Sequence, residues 1–132
     1  MIEPMKIQVR FSDVDMMGHV NNAVYLNYFE TARMYYFNQL LGKDWDWTKN
    51  GIILLRNEVD YVKSVLLQHT PIIKITVEKI GSKSFVLSYE LKVDGVLYTK
   101  GKSTMVCFNY KQHTSVEIPD VLRFKLEELI VE

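Results

Sequence analysis

The stretch R-F-S-D-V-D-M-M-G-H-V-N-N-A-V-Y-L-N-Y-F-E-T-A-R, residues 10–33, decides how this chain is read. Met5 to Phe11 alternates as a first strand, which ends in two carboxylates, Asp13 and Asp15. A Gly18-His19 turn follows, with Gly18 supplying the backbone freedom, and Asn21-Asn22 opens a helix. Asn21 is of a preferred N-cap type, and Gly42 is a natural stop, so the helix is expected from about Asn22 to Leu41. Leu26, Phe29, Ala32, Tyr36 and Leu40 face one way, while Tyr25, Tyr28, Met34, Phe37 and Leu41 cover much of the rest. A helix apolar on several sides has to be wrapped by other structure, not merely laid on a sheet.

Beyond the helix, Lys43 to Gly51 reads as a loop carrying Trp45 and Trp47, and the periodicity then turns strand-like. Ile52 to Val62 is a long strand candidate, and Ile73, Ile75 and Val77 alternate with polar residues. The cleanest period-two run is Phe85, Leu87, Tyr89, Leu91 and Val93. Asp94-Gly95 is the favoured pair for a tight hairpin, and a last long strand runs from Leu97 to Phe108. On that strand Thr99, Gly101 and Ser103 form a face small enough for a helix backbone to approach. After Pro119 a short amphipathic helix is expected through Val121, Phe124, Leu126 and Leu129. The fold class is therefore α+β, a curled antiparallel β-sheet wrapped around a long central α-helix. One domain is expected over residues 1–132, with the short C-terminal helix or tail at about 119–132. An open face or edge of so small a sheet is commonly covered by a second copy of the chain, so at least a homodimer is expected.

Composition narrows the function classes. Sixteen basic residues balance sixteen acidic ones, and no basic stripe interleaves with the aromatics, which argues against nucleic acid as a partner. The lone cysteine, Cys107, cannot form an internal disulfide and suits a reducing compartment. Met1 to Ile7 has no secretory pattern, and no apolar run suits a bilayer, so no membrane insertion and a cytoplasmic location are expected. His69, His113 and Cys107 show no metal-ligand spacing, and no metal or cofactor is expected.

The opening stretch brings a carboxylate to a helix N-terminus, whose first N–H groups have no partner within the helix and favour developing negative charge. A base beside an oxyanion site is a minimal acyl-transfer centre. Asp15 stands seven positions before Asn22, too far for an ordinary N-cap, which favours chemistry over capping. Asp13 reads as structural, holding the turn or pairing with Arg10. His19 positions substrate, or tunes Asp15, or is a hydrogen-bonded structural residue. Tyr25, Met16, Met17 and Phe29 line an acyl tunnel or belong to the core. Glu30 and Arg33 are expected to form a buried or interfacial pair that orients the helix.

These residues resemble the hotdog-fold thioesterases, in particular the 4-hydroxybenzoyl-CoA thioesterase-like branch. The resemblance is carried by Asp13-Val14-Asp15, Gly18-His19-Val20-Asn21-Asn22, Tyr25-Leu26 and Glu30-Thr31-Ala32-Arg33, with the turn Ile80 to Phe85 in support. It implies an acyl-CoA thioesterase releasing free acid and CoA-SH, active at the interface of a homodimer that can pair into a tetramer, without a metal. The substrate it implies is an acyl-CoA or acyl-carrier-protein thioester. Catalytic roles fall to Asp15, as general base or nucleophile, to the backbone amide of Asn22 as oxyanion donor, and to His19. Substrate contacts fall to Gly18, Tyr25, Ser82, Lys83 and Ser84. Where many relatives carry Pro or Ala after the catalytic Asp, this chain has Met16, and of the Asn-x-His pair of plant-type relatives it keeps His19 alone. Two other readings are a hotdog dehydratase or hydratase, and a protein that binds acyl thioesters without turnover.

Overall fold

A computed structural model describes residues 2–130. Val131 and Glu132, the end of the expected C-terminal tail, lie outside the described residues. In chain order the elements are β1 (Met5–Lys6), a 3-10 turn (Phe11–Asp13), α1 (Asn22–Leu41), β2 (Gly51–Tyr61), β3 (Ile72–Ile80), β4 (Ser84–Val93), β5 (Val96–Asn109), β6 (Thr114–Ser115) and α2 (Asp120–Glu127). The strands form one six-stranded antiparallel sheet in the order β1-β3-β4-β5-β2, with β6 paired to β5. The expected α+β class is therefore the observed one.

Two compact units are distinguishable, Met1–Tyr36 with Val59–Ile75 and Tyr89–Gly101, and Phe37–Glu58 with Thr76–Ser88 and Lys102–Glu132. In the first, the N-terminal part of α1 buries Tyr25, Tyr28, Phe29, Ala32 and Tyr36. Phe29 stacks on Tyr89 of β4 with ring centroids 4.4 Å apart and planes only 9° off parallel. In the second, Phe37 meets Phe85 of β4 edge-on at 6.5 Å and Trp47 at 6.1 Å. There Ser103 Oγ donates to Asn57 Oδ1 at 2.6 Å, and burial pushes the Cys107 thiol up to about 11. A thiol so shifted stays protonated at neutral pH and packs as a small apolar group.

The alternation on β4 is as the sequence indicates, with Phe85, Leu87, Tyr89, Leu91 and Val93 all buried. Asp94 and Gly95 turn the chain with φ of 50° and 79°, both left-handed, as a type I′ hairpin requires. Helix α1 has the expected bounds, and Gly42 follows it at φ 80° with its N–H on the Asn38 carbonyl.

Three expectations need correction. The first strand is only Met5–Lys6, and the 3-10 turn Phe11–Asp13 that comes after it already contains the first of the two aspartates. Helix α1 is not covered on every side. Its buried residues, Tyr25, Tyr28, Phe29, Ala32, Arg33, Tyr36, Phe37 and Leu40, fall at spacings of three and four and make one stripe, leaving Leu26 and Met34 exposed on the other face. Helix α2 buries Leu122 and Leu126 at i, i+4, whereas Val121 and Phe124 are 60% and 64% exposed.

The Glu30–Arg33 pair is loose, at 3.7 Å, with Glu30 in solvent. Arg33 is only 7% exposed, and its guanidinium donates to the Tyr89 hydroxyl at 3.0 Å. Phe29 and Arg33 thus grip one tyrosine between them. Replacing Phe29 by Ala should cost about 3–5 kcal/mol in urea unfolding; a loss below about 1 kcal/mol would mean the stack is not a core contact.

Candidate active site

Residues 13–21 fold as a hairpin of their own. Asn21 N–H donates to the Asp13 carbonyl at 2.9 Å, Val14 bridges Val20, and Asp15 N–H donates to the His19 carbonyl at 2.8 Å. This antiparallel register sets Asp13 opposite Asn21 and Asp15 opposite His19. Side chains directly opposite share a face, so these four polar residues lie on one side and Val14 and Val20 on the other. Val20 is buried, and its N–H donates to the Val65 carbonyl at 2.8 Å, so the hairpin is docked through its apolar side.

Met16, Met17 and Gly18 form the loop. Gly18 N–H returns to the Asp15 carbonyl at 3.0 Å, and Gly18 has φ 77°. That pattern, a β-turn closed by a left-handed residue, is a standard three-residue hairpin loop and explains the glycine. Asp15 starts the turn, and its Oδ1 accepts from Met17 N–H at 2.8 Å and His19 N–H at 3.1 Å. One oxygen of this carboxylate is thus fixed by backbone amides. Among the described residues, Oδ2 has no hydrogen-bond partner, and the side chain is exposed in the single chain. Met16 and Met17, at the loop tip, are also exposed.

Asn21 caps α1. Its Oδ1 accepts from Ala23 N–H at 3.0 Å and its carbonyl from Val24 N–H at 2.9 Å. Among the described residues, the Asn22 N–H has no partner, so it is the first-turn donor left available. Asp13 is structural, as expected, but it does not pair with the Arg10 side chain. Its Oδ2 accepts from the Arg10 backbone N–H at 2.9 Å and from the Tyr28 hydroxyl at 2.6 Å, which ties the hairpin to α1.

The other expected site residues divide. Gly18 and His19 share the loop with Asp15. The His19 backbone is engaged on both sides, by Asp15 and by a bridge to Leu66, while its imidazole has no hydrogen-bond partner among the described residues. Tyr25 sits in the core. Its hydroxyl accepts from Val65 N–H at 3.1 Å, and its ring meets Tyr61 edge-on at 5.0 Å. Ser82, Lys83 and Ser84 belong to the other compact unit, at the β3–β4 turn. There the Ser82 carbonyl accepts from Ile118 N–H and the Lys83 carbonyl from Cys107 N–H. Among the described residues no group of three or more His, Cys, Asp or Glu is placed to hold a metal, and no helix is long and apolar enough to cross a membrane.

Residues 9–126 match the family model of the thioesterase-like superfamily. The chain belongs to that superfamily. It is a thioester hydrolase of the hotdog type. It is similar to the long-chain acyl-CoA thioesterase FadM of Escherichia coli, with 27% identity over 95% of this chain and 97% of that one. A predicted thioesterase from Bacillus stearothermophilus superposes with a TM-score of 0.89 at 31% identity, covering 98% of this chain and 97% of its own. A thioesterase from Thermus thermophilus, solved with coenzyme A and zinc, gives 0.82 at 28% identity, covering 96% and 93%. The uncharacterized protein YsmA of Bacillus subtilis is 32% identical over 84 residues, 64% of this chain and 56% of its own length.

Burial holds the phenols of Tyr25, Tyr28 and Tyr36 above their ordinary value near 10, and at Tyr28 the Asp13 hydrogen bond and charge add to it. The fold therefore favours the neutral phenols. That contribution is complete below pH 10, where the unfolded chain also keeps its protons, and drains away as pH rises toward the folded values. Denaturant midpoints should fall steadily above about pH 10. A midpoint flat to pH 12 would contradict the burial.

Proposed function

We propose that this thioesterase hydrolyses acyl-CoA thioesters, with Asp15 driving attack on the carbonyl and the Asn22 amide receiving the oxyanion. The observation that carries the reading is the pairing of a tethered carboxylate with an unspent helix-start amide on one short hairpin. Asp15 and Asn21 stand on rungs two residues apart, about 7 Å along the strand. A water molecule and a thioester carbonyl fill a span of that order.

In the base route, the free Asp15 oxygen takes a proton from water and the resulting hydroxide adds to the carbonyl carbon. The oxyanion forms against the Asn22 N–H, and its collapse breaks the C–S bond. The thiolate leaves and is protonated to CoA-SH. In the nucleophile route, Asp15 itself adds, and water hydrolyses the mixed anhydride. Single turnover in heavy-oxygen water separates the two, because only direct attack carries label into the Asp15 side chain. Either route asks little of an acid, since a thiol with pKa near ~8.5 leaves readily as its anion. His19, with its ring unengaged beside Asp15, is assigned to orient substrate or water. Exposed Ser82 and Lys83, with half-buried Ser84 after them, are assigned to meet the phosphates of the carrier through an ammonium and hydroxyls.

Asn at position 15 retains a side-chain oxygen for the Met17 and His19 amides but loses the charge. Asp15→Asn should therefore lower kcat by about 100-fold or more with the melting temperature nearly unchanged. Thiol release from a panel of short, long and aromatic acyl-CoA esters is the assay. Near-normal turnover by the variant would refute the role of Asp15.

The single chain leaves Asp15 in water, where a developing oxyanion is poorly stabilised. We assign its cover to a second copy of the chain. Met16 and Met17, in the loop that Asp15 begins, are exposed apolar side chains that such a copy would cover. Light scattering at micromolar concentration should give the mass of a dimer or a multiple of it; a monomer's mass would remove this assignment.

A further inference from the structure

The helix start that supplies the Asn22 amide is held by a residue the motif does not contain. Tyr61, the last residue of β2, donates its hydroxyl to the Asn22 carbonyl at 3.1 Å across a sequence gap of 39 residues. The ring is fixed independently of that bond. It packs edge-on against Tyr25, itself pinned by the Val65 N–H, and the next two residues, Val62 and Lys63, both donate their backbone N–H groups to the Tyr98 carbonyl at 2.9 Å. Tyr61 is nonetheless 45% exposed, so its phenol is not there to fill the core.

We infer that Tyr61 is a positioning residue for thioester hydrolysis, clamping the first turn of α1 so that the Asn22 amide keeps a fixed direction. The inference rests on the proposed role of that amide. First turns fray readily, because they lack hydrogen bonds on the N-terminal side. The Asn21 side chain restrains Ala23, but it does not reach the Asn22 carbonyl. An oxyanion donor is effective only where it points at the oxygen before the charge develops, so a wandering first turn forfeits rate without weakening ground-state binding. Tyr61 acts from the far end of β2 as the second restraint, and its contact with Tyr25 connects it to the core.

Tyr61→Phe removes the hydroxyl and keeps the ring against Tyr25. The expected result is a three- to tenfold fall in kcat with KM and melting temperature nearly unchanged. A difluoroketone analogue of the acyl-CoA ester, with CF2 in place of sulfur, hydrates readily and so presents a tetrahedral oxyanion mimic to the Asn22 amide, whereas an S-alkyl-CoA has none. The variant should lose affinity for the ketone and bind the S-alkyl compound as the parent does. In the free protein, hydrogen exchange of the Leu26 amide, whose helical partner is the Asn22 carbonyl, should quicken several-fold. Equal kcat, equal ketone affinity and equal exchange in parent and variant would overturn the clamp. Loss of both ligands together, or a large drop in melting temperature, would overturn it in favour of a structural tyrosine. Absence of turnover in the parent would instead count against the proposed hydrolysis, and the exchange rate would still decide whether Tyr61 restrains the helix start.

Discussion

The hydrogen bond from the Asn21 N–H to the Asp13 carbonyl fixes everything that follows in this protein. It closes the hairpin of residues 13–21 and, through Asn21, delivers the chain into α1 at one defined point. Asp13 strengthens the junction by accepting from Tyr28, one and a half turns into the helix. Were this junction to loosen, the loop carrying Asp15 and the amide opening α1 would move independently. The two halves of the proposed chemistry would then have no fixed relation. Docking of Val20 on Val65 places the assembly on the core, so the polar face of the hairpin is left for function.

Much of this was legible from residue types alone, for local reasons. Asn21 and Gly42 bound α1 because capping depends on one side chain at one end and on a left-handed φ at the other. The alternation of β4 and the Asp94-Gly95 turn are likewise local and were readable without tertiary context. The misreadings have non-local causes. Six aromatic residues spread along α1, with leucine and methionine between them, suggest burial on several sides, yet what decides the buried face is where β4 supplies Tyr89 and Phe85. Helix α2 buries Leu126 of the expected face but not Val121 or Phe124, because eight residues hold too few apolar positions to fix a period. The first strand is shorter than its alternation implies, since Ile7 and Val9 continue the buried period although the ladder to β3 covers only Met5 and Lys6.

The site was only partly legible. Asp15, Gly18 and His19 stand together in the structure because they belong to one five-residue turn, which spacing can reveal. Tyr61 was invisible: its partner lies 39 residues away and is a backbone carbonyl, which no motif encodes. Tyr25, which the resemblance gave as a substrate contact, spends its hydroxyl on Val65 within the core. The only sequence signal for either was a tyrosine at the end of a strand and another near the start of a helix, and such residues are ordinary.

Asp15 has a complete structural explanation, as the residue that begins a β-turn and accepts its amides, and this does not compete with the proposed catalytic one. A carboxylate has two oxygens, and the turn consumes one of them. Two backbone bonds on Oδ1 remove the side chain's rotational freedom, so the direction of Oδ2 is set before any substrate arrives. A free aspartate on a mobile loop would have to pay that ordering cost in the transition state. The same logic applies at the other pole, where Asn21 and Tyr61 restrain the turn that presents the Asn22 amide. Thioester hydrolysis needs few groups because its leaving group is a good one, and a site with few groups depends all the more on how firmly each is held. On that view, the backbone bonds around Asp15 and Asn22 belong to the catalytic apparatus as much as the two reacting groups do.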